Sequence, residues 1–429
     1  MTAPAPLPFY TMDDFPLGGA TVLLRLDINS PINPVDGTFL DDTRVQAHLQ
    51  TLRELAHSKV VVLAHQSRPG KADFTTMREH ARTISVLLRR PTKYIDDLFG
   101  SQALSKVREM ADGDVVVLEN TRFYAEEEAL AGKPVEAQAN SHIVRRLAPE
   151  ADYFVNDAYA ASHRVQPTLV GFTRAMPSMA GRLMEREVEA VTRALSPKER
   201  PAVAVLGGAK VDDSIDVMEN MLARGSVDAV LTGGVVANIA LIASGVDVGE
   251  GSRSFIEKEL DNGGALVERT RKAIEAHPGA VRVPTDVAVN DSGQRVGLPV
   301  ASLPSAHPIF DIGLDTMTEY RRILGGAKVI VANGPMGVFE VEQFSVGTRG
   351  ILEAIGASDA YKVVGGGHTA ALVAQLGLAD RVDHISTGGG ALIQHLSGKP
   401  MPVIEALKES KRLHLEGKIK HRRGPGAKT

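Results

Sequence analysis

The sequence contains no cysteine and no tryptophan, and only 4% of its residues are aromatic. The absence of cysteine excludes disulfides, thiolate nucleophiles and zinc sites with thiolate ligands. No run of 18 or more apolar residues occurs, which argues against a membrane-spanning helix. The formal net charge of -4 does not favour a nucleic-acid-binding protein.

What the chain does contain is typical of a soluble enzyme. Its 429 residues are too many for one ordinary hydrophobic core, so two domains are expected. Hydrophobic residues make up 43% and charged residues 23%. The first residues lack the basic and apolar regions of a signal peptide. We therefore expect a cytoplasmic enzyme that acts on small molecules, with no membrane and no nucleic acid as partner.

Short apolar runs alternate with helix-like segments along the whole chain. Such runs, rich in Val, Ile and Leu and without polar alternation, are typical of strands buried on both faces of a parallel sheet. They predict an α/β fold with two doubly wound parallel-sheet (Rossmann-like) domains joined by a hinge helix. The runs are 20–26, 59–64, 114–118, 153–155, 201–206, 229–231, 281–283, 328–331, 361–364 and 382–385.

The boundary between the two halves is expected near residues 183–196. Met184, Val188, Val191 and Leu195 recur there at helical spacing, which predicts one amphipathic helix. The alternative is an ordinary crossover helix inside one larger domain. With the hinge interpretation, the predicted division is an N-terminal domain at 1–182, the hinge helix, a C-terminal domain at 197–405 and a basic tail at 406–429.

The tail is distinguished by its charge. Between residues 406 and 429 there are eight Lys or Arg and two acidic residues. A solvated basic tail is the favoured interpretation, and weak binding of a polyanion is the alternative.

The residues that follow the predicted strands differ between the halves. Ligands of open α/β sheets bind beyond the carboxyl ends of the strands. In the first half these positions hold Asp, Asn, His and Arg, and in the second half they hold repeated glycines. Converging cationic side chains suit a small, multiply charged anion, and bare backbone N–H groups suit a polyphosphate. The pair of surfaces therefore predicts phosphoryl transfer between a small acid and a nucleotide.

Two common nucleotide motifs are absent from the sequence. The segment from Gly207 to Lys210 lacks the G-x-x-x-x-G-K-[ST] spacing of a Walker A loop, and Val211 follows the lysine. There is also no protein-kinase set of H-R-D and D-F-G motifs. The nucleotide site is therefore of another kind.

Taken in order, eight motifs resemble the phosphoglycerate kinase family over roughly residues 18–407. They are Arg25-Leu-Asp-Ile-Asn29, Asp41-Asp-Thr-Arg44, Leu63-Ala-His-Gln-Ser-Arg-Pro69, Leu118-Glu-Asn-Thr-Arg-Phe-Tyr124, Phe154-Val-Asn-Asp-Ala-Tyr159 with His163-Arg164, Leu206-Gly-Gly-Ala-Lys-Val211, Asn333-Gly-Pro-Met-Gly-Val-Phe-Glu340 and Gly365-Gly-Gly-His-Thr369. The segment from Asn333 to Glu340 is the most characteristic.

The resemblance implies a function and a set of site residues. It implies reversible phosphoryl transfer between 1,3-bisphosphoglycerate and ADP, giving 3-phosphoglycerate and ATP, with Mg²⁺ bound together with the nucleotide. Arg44 and Lys210 would be catalytic. The acid would be held by Asp27, Ile28, Asn29, Arg44, His65, Gln66, Ser67, Arg68, Arg122 and Arg164. The nucleotide would be held by Lys210, Asn333, Glu340, Gly366, Gly367, His368 and Thr369.

The sequence departs from the commonest family pattern in three places, and its Lys-Val-Asp-Asp-Ser-Ile and Gly-Gly-Gly-His-Thr forms resemble the archaeal-type branch. Ser214 stands where a second lysine is usual, four residues after Lys210. His368 stands where the family usually has an aspartate that helps to position the metal-nucleotide. The motif His-Gln-Ser-Arg replaces His-Leu-Gly-Arg. No metal ligand is therefore expected at His368, and Asp212 and Asp213 are possible substitutes.

Several alternatives stay open at this point. Arg44 could form a surface ion pair with Asp41 or Asp42, and His368 could simply cap a helix. Asp157 is expected to be a helix cap or an ion-pair partner and is left out of the site. At the level of the whole chain, the alternatives are a catalytically lapsed nucleotide-binding homologue and another small-acid kinase. The sequence leaves open a monomer or a homodimer.

Overall fold

The computed structural model describes residues 7–260 and 262–420, and it divides the chain into two units. Unit 1 comprises residues up to Glu189 and from Pro400 onward, and unit 2 comprises Ala190–Lys399. Each unit is built around its own parallel sheet. The α/β class and the doubly wound parallel sheets predicted from the apolar runs are confirmed.

Unit 1 holds a seven-stranded sheet in which every neighbouring pair of strands is parallel. The strand order is β1-β7-β6-β2-β3-β5-β4. Its strands are β1 Tyr10–Thr11, β2 Thr21–Arg25, β3 Lys59–Leu63, β4 Thr92–Tyr94, β5 Val115–Val117, β6 Tyr153–Asn156 and β7 Ser178–Ala180. The helices that connect them are α1 Thr43–Ala47, α2 Leu49–Glu54, α3 Arg78–Leu88, α4 Ser101–Arg108, α5 Ala125–Ala129, α6 Val135–Ala139, α7 His142–Leu147 and α8 Pro167–Val170.

The central strands of unit 1 are apolar at consecutive positions because both faces of the sheet are covered. Val22 and Leu24 belong to one buried cluster, and Leu23 between them belongs to the other. Val61 is likewise separated from Val60 by the sheet. The continuous apolar runs follow directly from this two-sided burial.

The connecting helix α9, Arg182–Leu195, begins in unit 1 and ends in unit 2. Its first turn is held by Asp157, whose Oδ1 accepts hydrogen bonds from the backbone N–H groups of Leu183 (2.8 Å) and Met184 (3.1 Å). Thr51 Oγ1 accepts from the N–H of Arg182 at 2.9 Å. The orphan donors of the helix N-terminus are therefore satisfied by unit 1 side chains.

The same carboxylate ties this helix to the segment that carries Arg44. Asp157 Oδ2 accepts from His48 Nδ1 and from Thr51 Oγ1, both at 2.8 Å. His48 lies between α1 and α2, and its Nε2 accepts a hydrogen bond of 3.3 Å from the N–H of Asp27. Asp157 is thus a helix cap, one of the two roles expected for it, and it also accepts hydrogen bonds from His48 and Thr51.

Unit 2 holds a six-stranded parallel sheet in the order β10-β9-β8-β14-β15-β16 and a separate three-stranded antiparallel sheet in the order β12-β11-β13. The strands are β8 Ala202–Leu206, β9 Ala229–Thr232, β10 Val281–Arg282, β11 Asp286–Asp291, β12 Gln294–Pro299, β13 Ile309–Ile312, β14 Val329–Asn333, β15 Tyr361–Gly365 and β16 His384–Ile385. The helices are α10 Val211–Ala223, α11 Gly234–Ala243, α12 Glu250–Glu259, α13 Gly263–Ala276, α14 Leu314–Gly326, α15 Val346–Ala357, α16 Gly367–Gln375 and α17 Gly390–Leu396.

The C-terminal segment differs from the prediction that placed 197–405 in the second domain and a solvated tail after it. Residues from Pro400 onward group with unit 1, where helix α18, Pro402–Leu415, packs. Leu407 and Leu413 on this helix are buried, and Glu409 pairs with Arg174 at 2.9 Å. Because charged residues are so frequent in this segment, its apolar positions at helical spacing were not recognised from the sequence. Residues 421–429 of the predicted tail lie outside the described residues.

We predict that Asp157→Ala lowers the free energy of unfolding by about 3–5 kcal/mol, because four donors lose a buried acceptor. Asp157→Asn keeps an oxygen for the helix N–H groups, and its loss is expected to be smaller. Urea unfolding followed by circular dichroism measures both changes.

The control for this experiment is Asp36→Ala, since Asp36 is exposed and bonds only Thr38 within its own loop. Its expected effect is within about 1 kcal/mol. A loss below about 1 kcal/mol for Asp157→Ala would show that Asp157 does not hold the connecting helix.

Candidate active site

The carboxyl ends of the unit 1 strands are level, and this brings the predicted acid-binding residues together. Arg25, the last residue of β2, pairs with Leu63 of β3 and with Asn156 of β6. Asp27 and His65 each follow their strand by two residues. The strand order reverses between β2 and β6, and such a switch point is where open α/β sheets bind ligands.

Asp27 and Arg44 form an ion pair at this edge, with Arg44 Nη1 3.5 Å from Asp27 Oδ1. Asp27 is buried, whereas 39% of the Arg44 side chain is exposed. Burial alone would raise the pKa of the Asp27 carboxyl, but His65 and the guanidinium groups of Arg44 and Arg25 outweigh it and bring the pKa to about 2. Arg44 therefore keeps a partly exposed guanidinium group beside a buried, ionised carboxylate, and the ion pair observed for it is not with Asp41 or Asp42.

His65 and Arg25 lie beneath this pair and are both buried. Burial lowers the pKa of His65 well below 6.5, helped by repulsion from Arg25, Arg122 and Arg164, so the ring is neutral at pH 7. Arg25 Nη2 lies 3.1 Å from His65 Nδ1. Because arginine only donates, Nδ1 accepts and the ring proton resides on Nε2.

Arg25 itself remains cationic at this depth. Burial lowers its pKa to about 10, which is still well above neutral pH. Its Nε donates to Thr168 Oγ1 at 3.1 Å. These contacts place Arg25 beneath the edge that carries Asp27 and His65.

A polar network fixes the loop that carries Arg68. The N–H of Ser67 donates to Asn29 Oδ1 at 2.8 Å, and Arg122 Nη1 donates to the Ser67 carbonyl at 2.5 Å. Ser67 has φ +56°, and its hydroxyl donates to Asp73 Oδ1 at 2.6 Å. These bonds hold a left-handed backbone that is uncommon for a residue with a side chain.

Gln66 and Ile28 are fully buried, so their side chains support this edge and do not line it. The Gln66 amide bonds the backbone of Ser30 in both directions (3.2 and 3.0 Å) and lies 3.0 Å from His80 Nε2. Ile28 belongs to the hydrophobic core. Sequence matching to a family motif placed both in the site, although it could not distinguish lining from support.

Arg122 and Arg164 add two further cations close to Arg25 and His65, whereas Arg68 lies in the loop that follows β3. Repulsion from Arg164 contributes to the lowered pKa of Arg122, after the larger effect of burial, which indicates that the two guanidinium groups lie near each other. Arg122 Nε also pairs with Glu128 Oε1 at 2.7 Å. Arg68 is exposed and has no ion pair among the described residues.

Glycines line the level strand ends of the unit 2 sheet. Leu206, Thr232, Asn333 and Gly365 pair across neighbouring strands in one row. The positions just beyond this row include glycines with left-handed backbone, at Gly208 (φ +83°), Gly234 (φ +55°), Gly334 (φ +86°) and Gly366 (φ +85°). A ligand at this edge therefore meets backbone rather than side chains.

Close packing of the glycine turns shows why no side chain could replace them. A Cβ on Gly334 would lie 2.2 Å from the carbonyl oxygen of Gly207. A Cβ on Gly366 would lie 3.0 Å from Asn333 Oδ1, a buried acceptor that receives no hydrogen bond within the described part of the chain. The N–H of Gly334 donates to Thr369 Oγ1 at 3.1 Å. Asn333, Gly366 and Thr369 thus lie next to one another at this edge of the sheet.

The other predicted nucleotide residues are exposed around this surface. Lys210 precedes α10 and has no ion pair in the ranges that the structure describes. Gly367 begins α16, and the His368 ring lies 5.3 Å from the ring of Phe339. Glu340 follows Phe339 and is exposed. None of these side chains is committed to a structural ion pair among the described residues, so each is free to meet a ligand.

An apolar cavity of about 230 Å³ opens beside the glycine turns, and sequence reasoning missed it. Gly208, Gly234, Glu340 and His368 lie on its wall. Its remaining lining residues are mostly apolar, among them Ala237, Phe255, Val287, Ile309, Ile312 and Met336. Five of its lining residues come from the antiparallel sheet, whose strands the apolar runs do not predict: Val287, Ile309, Phe310, Asp311 and Ile312.

A metal cluster of protein side chains is not found at this site. No group of three or more His, Cys, Asp or Glu that could hold a metal occurs among the described residues. His368 occupies the first turn of α16, and Asp212 accepts from Asn262 Nδ2 at 2.7 Å. The residues present do not build a protein cage for Mg²⁺.

Over the same described ranges, none of the helices combines the length and the apolar character that a membrane span requires.

Comparison with known proteins gives one consistent result. The phosphoglycerate kinase family model matches residues 12–399. The phosphoglycerate kinase of the archaeon Thermoplasma acidophilum is 50% identical over 94% of this chain and 98% of its own length. That of Methanothermobacter thermautotrophicus is 49% identical over 96% of this chain and 99% of its own length.

Solved structures agree with these relatives. Phosphoglycerate kinase from Pyrococcus horikoshii superposes with a TM-score of 0.84 at 43% identity, covering 94% of this chain and 99% of that one. The enzyme from Coxiella burnetii gives a TM-score of 0.80 at 31% identity, covering 94% of this chain and all of that one. The resemblance to the archaeal-type branch is thereby confirmed, and the chain belongs to the phosphoglycerate kinase family.

Proposed function

We propose that this chain is an ATP-dependent phosphoglycerate kinase that transfers a phosphoryl group reversibly between 1,3-bisphosphoglycerate and ADP. The observation that carries the proposal is the opposite chemistry of the two sheet edges. Unit 1 gathers guanidinium groups around one ionised carboxylate, and unit 2 presents glycine backbone beside an apolar cavity. A small acid suits the first surface and a nucleotide suits the second.

In unit 1, the acid would be held by charge and by fixed donors. Arg44, Arg122 and Arg164 supply guanidinium groups for the carboxylate and phosphate of 3-phosphoglycerate. Asp27 stays ionised at neutral pH and can accept a hydrogen bond from the hydroxyl of the acid. Neutral His65 can donate from Nε2. The surface thus discriminates in favour of a phosphorylated hydroxy acid.

In unit 2, the nucleotide would lie with its base in the apolar cavity and its phosphates at the glycine turns. The N-terminus of α16 at Gly366 and Gly367 offers backbone N–H groups to phosphate oxygens. Glu340, at the mouth of the cavity, can accept hydrogen bonds from the ribose hydroxyls. Mg²⁺, which the residues here do not cage, would arrive on the nucleotide phosphates and neutralise part of their charge.

The transfer step needs no general base. In the direction of ATP synthesis, an oxygen of the ADP β-phosphate attacks the acyl phosphorus, the bond from phosphorus to the acyl oxygen breaks, and 3-phosphoglycerate leaves as a carboxylate. Negative charge is spread over the transferring group, so fixed cations lower the barrier. Arg44 from unit 1 and Lys210 from unit 2 are the cations proposed for this role.

Because the two ligands belong to different units, transfer requires their surfaces to approach while water is excluded. We propose that this closure turns on α9, which has one end fastened in each unit. Its first turn is bonded to Asp157, and near its last turn the Arg193 guanidinium lies 3.6 Å from the ring centroid of Tyr361 in unit 2. We further propose a cytoplasmic location and a monomer or homodimer, which fractionation and light scattering would test.

We predict that Arg44→Ala lowers kcat about 100- to 1,000-fold, because one charge-stabilising donor is removed from the transition state. The dissociation constant for ATP is expected to stay within about twofold, since Arg44 belongs to unit 1. A coupled assay with 3-phosphoglycerate and MgATP measures turnover, and calorimetry measures nucleotide binding.

The matched control is Arg53→Ala, an exposed arginine on the neighbouring helix α2, which should leave both quantities unchanged. Equal losses of turnover and ATP affinity in Arg44→Ala would contradict the assigned role. Folded wild-type protein that binds ATP without turnover would instead support a catalytically lapsed homologue, and turnover with a different acid would indicate another small-acid kinase.

For the closure itself, small-angle scattering should show a smaller radius of gyration with 3-phosphoglycerate and a non-hydrolysable ATP analogue together than with either alone. Each ligand alone serves as the control, because a single ligand cannot bridge the two surfaces. An unchanged radius of gyration with both ligands at saturation would exclude closure.

A further inference from the structure

Asn238 is the side chain in the wall of the unit 2 cavity that the proposed function leaves unexplained. It lies on α11, and its side chain is buried, with 6% exposure. Its Oδ1 has no hydrogen-bond partner within the described residues, although it lines the cavity. A buried carboxamide oxygen without a partner costs about 1–3 kcal/mol, so its retention calls for a partner that the folded chain does not supply.

The other polar side chains in this wall are already satisfied or exposed. Asp311 is buried, but its Oδ2 accepts from the N–H of Gly347 (2.8 Å) and from Arg295 (3.2 Å), and its Oδ1 accepts from the N–H of Ile312. Glu340 and His368 are exposed at the mouth. Within the cavity wall, Asn238 is therefore the buried polar group that is available to a bound molecule.

The size and lining of the cavity suit a nucleobase better than a whole nucleotide. Its volume of about 230 Å³ is below the roughly 300–1,000 Å³ of sites that enclose an entire drug-sized ligand. Apolar groups such as Val287 and Ile312 can pack on the flat faces of a base. The polar edge of the base would then need a partner in the wall.

A carboxamide matches the edge of adenine in particular. Its oxygen accepts from the 6-amino group while its nitrogen donates to N7, a pairing that uses both ends of the amide. A 6-oxopurine presents two acceptors, O6 and N7, on the same edge, so the amide can satisfy only one of them. The chemistry therefore favours a 6-aminopurine.

We propose that Asn238 is a specificity-determining residue that reads the 6-amino edge of the nucleotide base. The proposal rests on the proposed function, in which the base of the nucleotide occupies this cavity. It adds a direct contact that selects adenine nucleotides over guanine and inosine nucleotides.

The test compares nucleotides that differ only at the edge in question. ATP is compared with purine riboside triphosphate, which lacks the 6-amino group, with 7-deaza-ATP, which lacks N7, and with ITP. For the wild type, kcat/KM for ATP should exceed that for purine riboside triphosphate and for ITP by at least about fivefold, given the discrimination typical of one bidentate pair. 7-Deaza-ATP should fall between ATP and purine riboside triphosphate.

Asn238→Leu removes both polar ends and keeps the size of the side chain. In this variant the ratio between ATP and purine riboside triphosphate should fall to within about twofold, since the amide that contributes the discrimination is gone. The matched control is Ile239→Leu, which changes a fully buried neighbour on the same helix that does not line the cavity, and it should keep the wild-type ratio. Calorimetry with ADP and IDP gives the same comparison without turnover, and Asn238→Ala replaces the leucine variant if that one does not fold.

Either of two results would overturn the proposal. One is a wild type that turns over ATP and purine riboside triphosphate equally well, as expected if only a water molecule satisfies Asn238. The other is an Asn238→Leu variant that keeps the wild-type ratio. Failure of the proposed function would look different, because no nucleotide would then support turnover with 3-phosphoglycerate.

Discussion

Within each parallel sheet the central strands end at the same level, and both proposed ligand surfaces depend on this alignment of the strands' carboxyl ends. In unit 1 it aligns Arg25, Leu63 and Asn156, and in unit 2 it aligns Leu206 with Asn333. Whatever follows these residues must meet at one edge of the sheet. Each unit therefore gathers these residues at one edge, and the residue types that follow the strands differ between the two units.

The residue types at the two edges give the two units different binding chemistry. In unit 1 the buried Arg25 and neutral His65 support exposed guanidinium groups, and Asp27 keeps its charge because the cations hold its pKa at about 2. In unit 2 the left-handed Gly234 and Gly334 lie so close to neighbouring backbone that a Cβ atom at either position would collide with it. The first arrangement has the chemistry that suits a small anion, and the second has the chemistry that suits a polyphosphate. The connecting helix is fastened to the first arrangement through Asp157.

Much of this could be predicted from the sequence, since two-sided burial leaves a strong signal. Each of the ten apolar runs overlaps a strand, and the residues after them lie at the carboxyl-end edges of the two parallel sheets. The missed strands are the two- and three-residue strands β1, β4 and β7 of unit 1, or belong to the antiparallel sheet. The turn at Ser292 and Gly293, both left-handed, between two apolar segments was a hairpin signal that could have revealed that sheet.

Other features could not be predicted from one sequence. Asn238 stands among apolar residues of a helix and resembles an ordinary core position, and only the folded chain shows the cavity beside it. Gln66 belongs to a motif that matches the family at the ligand edge, yet its amide already bonds the backbone of Ser30 and contacts the ring of His80. Helix α18 was not predicted, because the charged residues of this segment favoured a solvated tail. In each case the decisive fact is a contact between residues far apart in the chain.

The central claim is that the acid and the nucleotide bind to different units, and hydrogen–deuterium exchange with one ligand at a time tests it most directly. With 3-phosphoglycerate alone, slower exchange is predicted in unit 1 peptides that contain Asn29, Ser67 and Arg122. With ADP alone, slower exchange is predicted in unit 2 peptides that contain Gly334 and Gly366. Slower exchange at the glycine turns with 3-phosphoglycerate alone, or at the arginine cluster with ADP alone, would contradict the account.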